Sequence, residues 1–346
     1  MKILKDGGAL LNQPRANPGS QRAQMRDQMT AILNGNVSRA DLSRFLCKNH
    51  PDHVTSEMVH GALDAVKKCR PRKHEFLTNV WHVNYCGTGG TRYKLFNLST
   101  GAVLVAAGCK GMKIVKYGSP GYTRKVGSMN VAEGMHLNIE TNPEKIDFLL
   151  REKGIPLIFL SAGALFKGSK LIRKVRMRLG CPTLFNLIGP LTNPLEPAAQ
   201  VIGVPNVQQA DTLTEYLEKE GFGRTIVVYG QHGEDALTTT GKSHIVEINS
   251  RKKVTKFSIV PEDFDIPRAN VKDIASGTLQ DNVAYLKNIL GGKKGPRRDI
   301  VALNAGMLIY ASETKIMDLD RCYRLALESI DSKRALNVFD SIRDRK

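Results

Sequence analysis

The first part of the chain alternates apolar and polar positions with the period of an α-helix. Met58, Ala62 and Val66 recur at every fourth position, which puts them on one face of a helix. A second helix is predicted over 17–33, where the segment ends in an Asn-Gly-Asn turn, and a third begins after Ser38, a residue type that favours the N-cap position. This pattern predicts that the chain begins with a small all-helical domain.

Beyond this region the pattern changes to short β-rich runs that alternate with helical segments. The runs lie at 80–84, 113–116, 156–160, 199–204, 225–228 and 244–246, and the predicted helices at 206–220, 280–290, 300–310 and 318–330. Strands separated by helices indicate an α/β fold with a mostly parallel central sheet covered by helices. We therefore predict a helical domain over 1–70, completed by helices within about 162–195, and a larger α/β domain over 75–346.

Composition restricts the classes of protein that this chain can represent. Its 346 residues are 41% hydrophobic and 24% charged, which is typical of a globular protein and not of a disordered one. No apolar run reaches the roughly 20 residues that span a bilayer, and the N-terminus lacks the apolar core of a signal peptide. The six cysteines form no Cys-x-x-Cys pair. We therefore expect a cytoplasmic protein with reduced thiols and no membrane partner.

The charge balance is unusual. Lys+Arg 51 and Asp+Glu 33 give a net charge of +18, which favours anionic ligands, either phosphorylated metabolites or nucleic acid. Cations are dense at 67–73 and 167–178, but no aromatic residues are interleaved with them as in a platform for single-stranded nucleic acid. The helical spacing in the second segment spreads its cations over more than one face. We expect a surface position for Lys167, Lys170, Arg173 and Lys174.

The glycine-rich sequence after the first predicted strand is the densest chemical signal. GTGG occupies 87–90, and Asn97, Ser99 and Thr100 then open an apolar helix. Glycines let a backbone approach a ligand closely, and a helix N-terminus presents N–H groups and a positive dipole end to an anion. Lys116 follows at the end of the next predicted strand, where ligands of open α/β sheets bind. A phosphate site is one interpretation, and a glycine-rich turn with a helix cap is the other.

Together these segments resemble the anthranilate phosphoribosyltransferase family, which is grouped with the pyrimidine nucleoside phosphorylases. The family pattern GTGGDGxxTFNIST is matched at 87–100, and FNLLGPLTNP is matched at 185–194. Further matches lie at 261–269, 294–299 and 303–305. The resemblance therefore covers nearly the whole chain, with several long motifs in the same order.

The resemblance implies transfer of a phosphoribosyl group from phosphoribosyl pyrophosphate to an amine-bearing acceptor such as an aromatic carboxylate. The positions that match the family's donor site are Gly87, Thr88, Gly89, Gly90, Asn97, Ser99, Thr100, Lys116, Gly118, Thr123, Arg124 and Ser128. Arg176 and Ser119 match acceptor contacts, and a guanidinium suits a carboxylate well. Ser99 and Asp235 match ligands of Mg²⁺, and no residue is assigned as catalytic.

Several positions depart from the family pattern, and most of the changes remove an acidic or polar group or add a cation. They are Thr91, Arg92, Tyr117, Thr123, Arg124, Asn130, Phe166, Leu171 and Ala236. Phe166 and Leu171 replace two histidines on the acceptor side. Ala236 replaces the glutamate of the metal-binding Asp-Glu pair, so one Mg²⁺ ion is expected rather than two.

These departures leave two other functions open. A non-catalytic relative that binds nucleic acid or another polyanion is favoured by the net charge of +18 and by the reduced metal site. A nucleoside phosphorylase-like enzyme would not need the missing glutamate, although the order of the loops is closer to the transferase pattern. In each case the resemblance implies a homodimer through the N-terminal helices.

Overall fold

A computed structural model describes residues 8–14, 16–70, 80–91, 93–121, 126–142, 144–161, 166–312 and 318–343. Its helices, in chain order, are α1 (Pro18–Leu33), α2 (Arg39–Lys48), α3 (Ser56–Cys69), α4 (Leu98–Ala107), α5 (Ser128–Gly134), α6 (Glu144–Arg151), α7 (Ser169–Leu179), α8 (Leu184–Ile188), α9 (Val207–Glu220), α10 (Leu279–Leu290), α11 (Pro296–Ser312), α12 (Leu319–Asp331) and α13 (Arg334–Ser341). Its strands are β1 (Val83–Gly87), β2 (Ile114–Gly118), β3 (Ile139–Glu140), β4 (Leu157–Ser161), β5 (Ala199–Gly203), β6 (Arg224–Gly230), β7 (Ser243–Ile248) and β8 (Val254–Ile259).

The described strands form one sheet in the order β3-β4-β2-β1-β5-β6-β7-β8. Neighbours from β3 to β6 pair in parallel, and β7 and β8 are added antiparallel at one end. The predicted α/β class with a mostly parallel sheet is confirmed. The chain leaves β1 toward β2 on one side and later returns to β5 on the other, so the strand order reverses between β1 and β5.

The N-terminal helices form where the sequence predicts them, and two of them cross at a glycine. Ser38 accepts a hydrogen bond from the backbone N–H of Asp41 at 3.1 Å, which caps α2. The three apolar residues that recur on α3 are buried. A Cβ on Gly61 would lie 2.2 Å from the carbonyl oxygen of Arg22, so glycine is required where α3 crosses α1.

The sheet separates two apolar cores, because successive side chains of a strand point to opposite faces. Val201 belongs to the core that the sheet shares with α4 and α11, and Ile202 belongs to the core on the other face. That second core joins α1, α2 and α3 to α7, α8 and α9. The proposed helical domain over 1–70, completed by helices within about 162–195, and the proposed α/β domain over 75–346 stay a prediction.

Some elements differ from the expected ones. The first strand lies at Val83–Gly87 rather than 80–84, because Val80 packs in a separate small cluster with β2, β4 and α6. The edge strands β3 and β8 were not expected: β3 has two residues, and β8 carries exposed polar residues among its apolar ones. No described helix is long and apolar enough to cross a membrane. No disulfide joins the six cysteines.

Candidate active site

A cavity of about 520 Å³ opens beyond the carboxyl ends of β1 and β2, beside the reversal of strand order. Open α/β sheets bind ligands at this position. Thr88 donates its backbone N–H to the carbonyl oxygen of Gly203 at 2.8 Å, so the chain leaving β1 is held against β5. One side of the cavity, the loop wall, consists of 87–89, the start of α4 and the residues after β2. The other side, the helix wall, consists of residues from α7 and α8.

The glycines of the loop wall are required by its geometry. Gly89 has a φ of +69°, a backbone conformation that side-chain-bearing residues rarely adopt. Its N–H donates to Oδ2 of Asp235 at 2.8 Å. A Cβ on Gly87 would lie 2.4 Å from the same oxygen. The loop therefore curves around the Asp235 carboxylate and brings it to the cavity.

Lys116 is the cation of the loop wall. It is 1% exposed, and its Nζ donates to Oγ of Ser99 at 3.0 Å and to the backbone carbonyl of Tyr85. Burial lowers the pKa of the Lys116 ammonium from its ordinary value, and the nearby Cys86 and Asp235 oppose this shift. A buried ammonium beside the N-terminus of α4 places positive charge at the end of a helix that already favours anions.

A buried amide fixes the strand and the loop beneath Lys116. Tyr85 donates its hydroxyl to Oδ1 of Asn304 at 2.5 Å, and Leu237 donates its N–H to the same oxygen at 3.0 Å. Nδ2 of Asn304 donates to the carbonyls of Leu237 and Ile300. Burial is the main reason that the pKa of Tyr85 is well above its ordinary value, so the phenol stays protonated as a donor. Asn304 of α11 therefore fixes the positions of β1 and of the segment after Asp235.

Arg176 is the buried cation of the helix wall. It is 8% exposed and donates to Oδ1 of Asn186 at 3.1 Å, and its guanidinium lies 5.6 Å from the ring centroid of Phe185. Nδ2 of Asn186 donates to the carbonyl oxygen of Thr88 at 2.8 Å. One amide therefore connects the arginine of the helix wall to the glycine loop opposite.

The structure brings most of the residues predicted for the site to one cavity. Those that line it are Gly87, Thr88, Gly89, Asn97, Ser99, Lys116, Gly118, Ser119, Ser128, Arg176 and Asp235. Gly90 and Thr100 do not line it: a Cβ on Gly90 would meet Pro182, and Thr100 is fully buried within α4. Thr123 and Arg124 lie outside the described residues, as does Arg92.

Two expectations from the sequence hold but are incomplete, and two residues were missed. Lys170 and Arg173 are exposed as expected, but they also line the cavity, which the sequence did not predict. Asn186 and Asn304 received no role, although both lie in segments that match the family. In the sequence, each of them is a polar residue among mostly apolar ones: FNLI contains Asn186, and LNAG contains Asn304.

The metal site that the sequence suggests is sparse. Asp235 is the single acidic residue among the described residues that line the cavity. Glu234 is fully buried, and its carboxylate accepts hydrogen bonds from Thr238, Thr240 and the N–H of His232. No group of three or more His, Cys, Asp or Glu side chains that could hold a metal occurs in the described ranges. The residues fit one Mg²⁺ ion whose other ligands are substrate phosphates or water, and they supply no second carboxylate.

Comparison with known proteins defines the class. Residues 79–336 match the model of the glycosyl transferase family, a/b domain. Anthranilate phosphoribosyltransferase of Thermoanaerobacter sp. is 36% identical over 314 residues, which is 91% of each chain. The enzyme of the same name from Acetivibrio thermocellus is 30% identical over 319 residues, covering 92% of this chain and 90% of that one. The chain therefore belongs to the anthranilate phosphoribosyltransferase family within these glycosyl transferases.

Solved structures give the same fold. Anthranilate phosphoribosyltransferase from Thermus thermophilus superposes with a TM-score of 0.79 at 29% identity, covering 99% of this chain and 98% of that one. The Saccharomyces cerevisiae enzyme, solved in complex with phosphoribosyl pyrophosphate and Mg, has a TM-score of 0.83 at 24% identity, covering 99% and 97%. At that identity the second structure supports the fold alone.

Proposed function

We propose that this protein transfers a phosphoribosyl group from phosphoribosyl pyrophosphate to an amine-bearing, anthranilate-like acceptor. The observation that carries the proposal is the arrangement of the cavity. The glycine loop, the start of α4 and Lys116 line one wall, and Arg176 lines the other. An anionic donor and an anionic acceptor then have separate cations within one space. The names of the family's characterised relatives support this assignment.

The loop wall suits the phosphate groups of the donor. The first N–H groups of α4 have no acceptor within the helix, and its dipole favours negative charge. Ser99 and Lys116 add a hydroxyl and an ammonium at the same place, 3.0 Å apart. The backbone of 87–89 lines the cavity beside these groups.

The helix wall suits an aromatic amine that carries a carboxylate. Arg176 would hold the carboxylate, and Ile172 and Phe185 provide apolar surface for a ring. The amine nitrogen then attacks the anomeric carbon of the donor, the bond from that carbon to pyrophosphate oxygen breaks, and the amine loses a proton. Pyrophosphate leaves with the electron pair. The protein contributes positioning and neutralisation of the leaving-group charge.

Magnesium belongs to this proposal as one ion. Ser99 and Asp235 would hold it together with phosphate oxygens of the donor, where it would supply charge neutralisation for the departing pyrophosphate. Ala236 offers no oxygen ligand, and the Glu234 carboxylate is already bonded to two threonines. A second ion therefore has no protein carboxylate available among the described residues that line the cavity.

Calorimetric titration with phosphoribosyl pyrophosphate, with and without Mg²⁺, tests the proposed function directly. We expect saturable binding that Mg²⁺ strengthens, followed by release of pyrophosphate when an aromatic amine carboxylate is added. Absence of donor binding at millimolar concentration would contradict the proposal. Inorganic phosphate and a nucleoside, supplied instead of the donor, test the phosphorylase alternative by release of a free base.

Two further parts of the proposal concern partners. We propose a homodimer, for which sedimentation velocity should give about twice the 38.2 kDa of one chain. Nucleic-acid binding is the alternative function that the net charge of +18 favours. A gel shift across a salt series tests it, because binding through phosphate contacts weakens steeply with salt. No shift at low ionic strength would remove that alternative.

A further inference from the structure

Helix α7 directs two arginines into the cavity, where one would suffice for a single carboxylate. Ser169, Ile172, Arg173 and Arg176 all line the cavity, at positions i, i+3, i+4 and i+7 of one helix face. Lys170 lines it as well. Arg173 precedes Arg176 by almost one turn, so their backbone positions are about 5 Å apart along the helix axis.

The second arginine has no counter-charge among the described residues. Arg173 and Lys170 are exposed, and neither forms a salt bridge or a side-chain hydrogen bond with any described residue. The acid among the described lining residues, Asp235, lies on the loop wall and accepts the N–H of Gly89. The helix wall therefore has more positive charge than an acceptor with one carboxylate neutralises. Cations that share one concave wall are placed to bind an anion between them.

We propose that the acceptor carries two anionic groups, so that Arg176 binds the first and Arg173 with Lys170 binds the second. This inference rests on the proposed function and specifies its acceptor class: an aromatic amine with two carboxylates, or with a carboxylate and a phosphate. Arg176 is fixed by Asn186 at the buried end of the face, and Arg173 is exposed one turn away. Phe166, which precedes α7, also lines the cavity and adds apolar surface.

Calorimetric binding of two matched ligands tests the inference without turnover, because no donor is present. The probes are anthranilate and 2-aminoterephthalate, which is anthranilate with a second carboxylate. We expect 2-aminoterephthalate to bind at least tenfold more tightly, as expected for an added carboxylate on an arginine. In Arg173→Gln this advantage should fall to within twofold, and the affinity for anthranilate should stay within twofold of the unmodified protein.

Arg178→Gln is the matched control. It removes the same charge from the same helix, but Arg178 does not line the cavity. This variant should retain the full preference, as should Arg173→Lys, which keeps a cation at the wall. Circular dichroism and thermal unfolding of all three variants confirm that the fold is intact.

Two results would overturn the inference. One is equal affinity for the two ligands in the unmodified protein. The other is an equal loss of the preference in Arg173→Gln and Arg178→Gln, which would assign it to the general field of the +18 charge. Binding of phosphoribosyl pyrophosphate is measured separately on the same samples. If the donor binds and the dicarboxylate shows no preference, the transferase proposal stands and this inference fails.

Discussion

The two walls of the cavity are built in different ways. The loop wall relies on backbone: glycines with little room for a Cβ, the N-terminus of α4 and the ends of strands, held by the buried Asn304. The helix wall relies on side chains that project from one face of α7, of which Arg176 is buried and Arg173 is exposed. A site that binds through backbone groups tolerates substitution of nearby side chains. A site that binds through side chains can change its ligand preference when those side chains are substituted. This contrast agrees with a family motif that persists at 87–90 beside an acceptor side that has lost two histidines.

The largest effect should come from Lys116, the buried cation of the described part of the loop wall. Lys116→Ala removes an ammonium that bonds to Ser99 and Tyr85, so we expect the affinity for phosphoribosyl pyrophosphate to fall at least a hundredfold, about 2.7 kcal/mol. Calorimetry measures this loss. Lys110→Ala, which removes an exposed lysine, is the control and should bind as before. Unchanged affinity in Lys116→Ala would remove the residue from the site.

Substitution of Arg176 on the helix wall should weaken binding of the acceptor rather than of the donor. Arg176→Ala should weaken anthranilate binding about thirtyfold, or about 2 kcal/mol, since a charge-assisted contact at a buried site is lost. Donor affinity should change by less than threefold. A titration of each ligand into the same variant measures both values. If the donor is weakened more than the acceptor, the two walls do not divide the substrates as proposed.

Substitution of Asp235 should change donor affinity by an intermediate factor, and the direction of the change should depend on Mg²⁺. Asp235→Asn keeps an oxygen that can accept the Gly89 N–H but removes the charge of the carboxylate. With Mg²⁺ present, donor affinity should fall about tenfold because a metal ligand is weakened. With the metal chelated, affinity should rise, because a negative charge beside the pyrophosphate is gone. Asp211→Asn, at an exposed position of α9, is the control. If donor affinity of Asp235→Asn falls equally with and without Mg²⁺, Asp235 has no role as a metal ligand.

The smallest effect should come from Ser119, which lies after β2 and lines the cavity with a neutral hydroxyl. Ser119→Ala should weaken acceptor binding about threefold, since a neutral hydrogen bond contributes roughly 0.5–1.5 kcal/mol. The KM for an aromatic amine carboxylate should rise while kcat is retained. A change in kcat alone would place Ser119 in the chemical step instead.

The sequence predicts the local backbone of the loop wall, for a physical reason. A glycine loop between a strand and a helix cap specifies local backbone geometry, which neighbouring residues reveal. The contact between Tyr85 and Asn304 joins positions 219 residues apart, and such a pairing has no local signal. Ser99 and Thr100 show a limit of motif matching. Adjacent helical residues point about 100° apart, so one of them lines the cavity and the other is buried.

The cations of α7 show a different limit. The positive charge of the helix is visible in the sequence, but which face meets solvent and which meets a cavity depends on the elements packed against it. Here α7 is anchored by Ile172 and Val175 in the core shared with α1 to α3. With this anchoring, Arg173 and Arg176 line the cavity. The sequence predicts only a surface position for Arg173, because the other residues that form the cavity are distant from α7 in sequence.

The side-chain amide of Asn186 also has a consequence for the order of events. Its oxygen is bonded to Arg176 and its nitrogen to the carbonyl of Thr88, so two hydrogen bonds connect the guanidinium to the glycine loop. We therefore expect occupancy of the acceptor side to alter donor affinity, and thermodynamic reciprocity requires the influence to be equal in both directions. A single asparagine joins the two sides of the site.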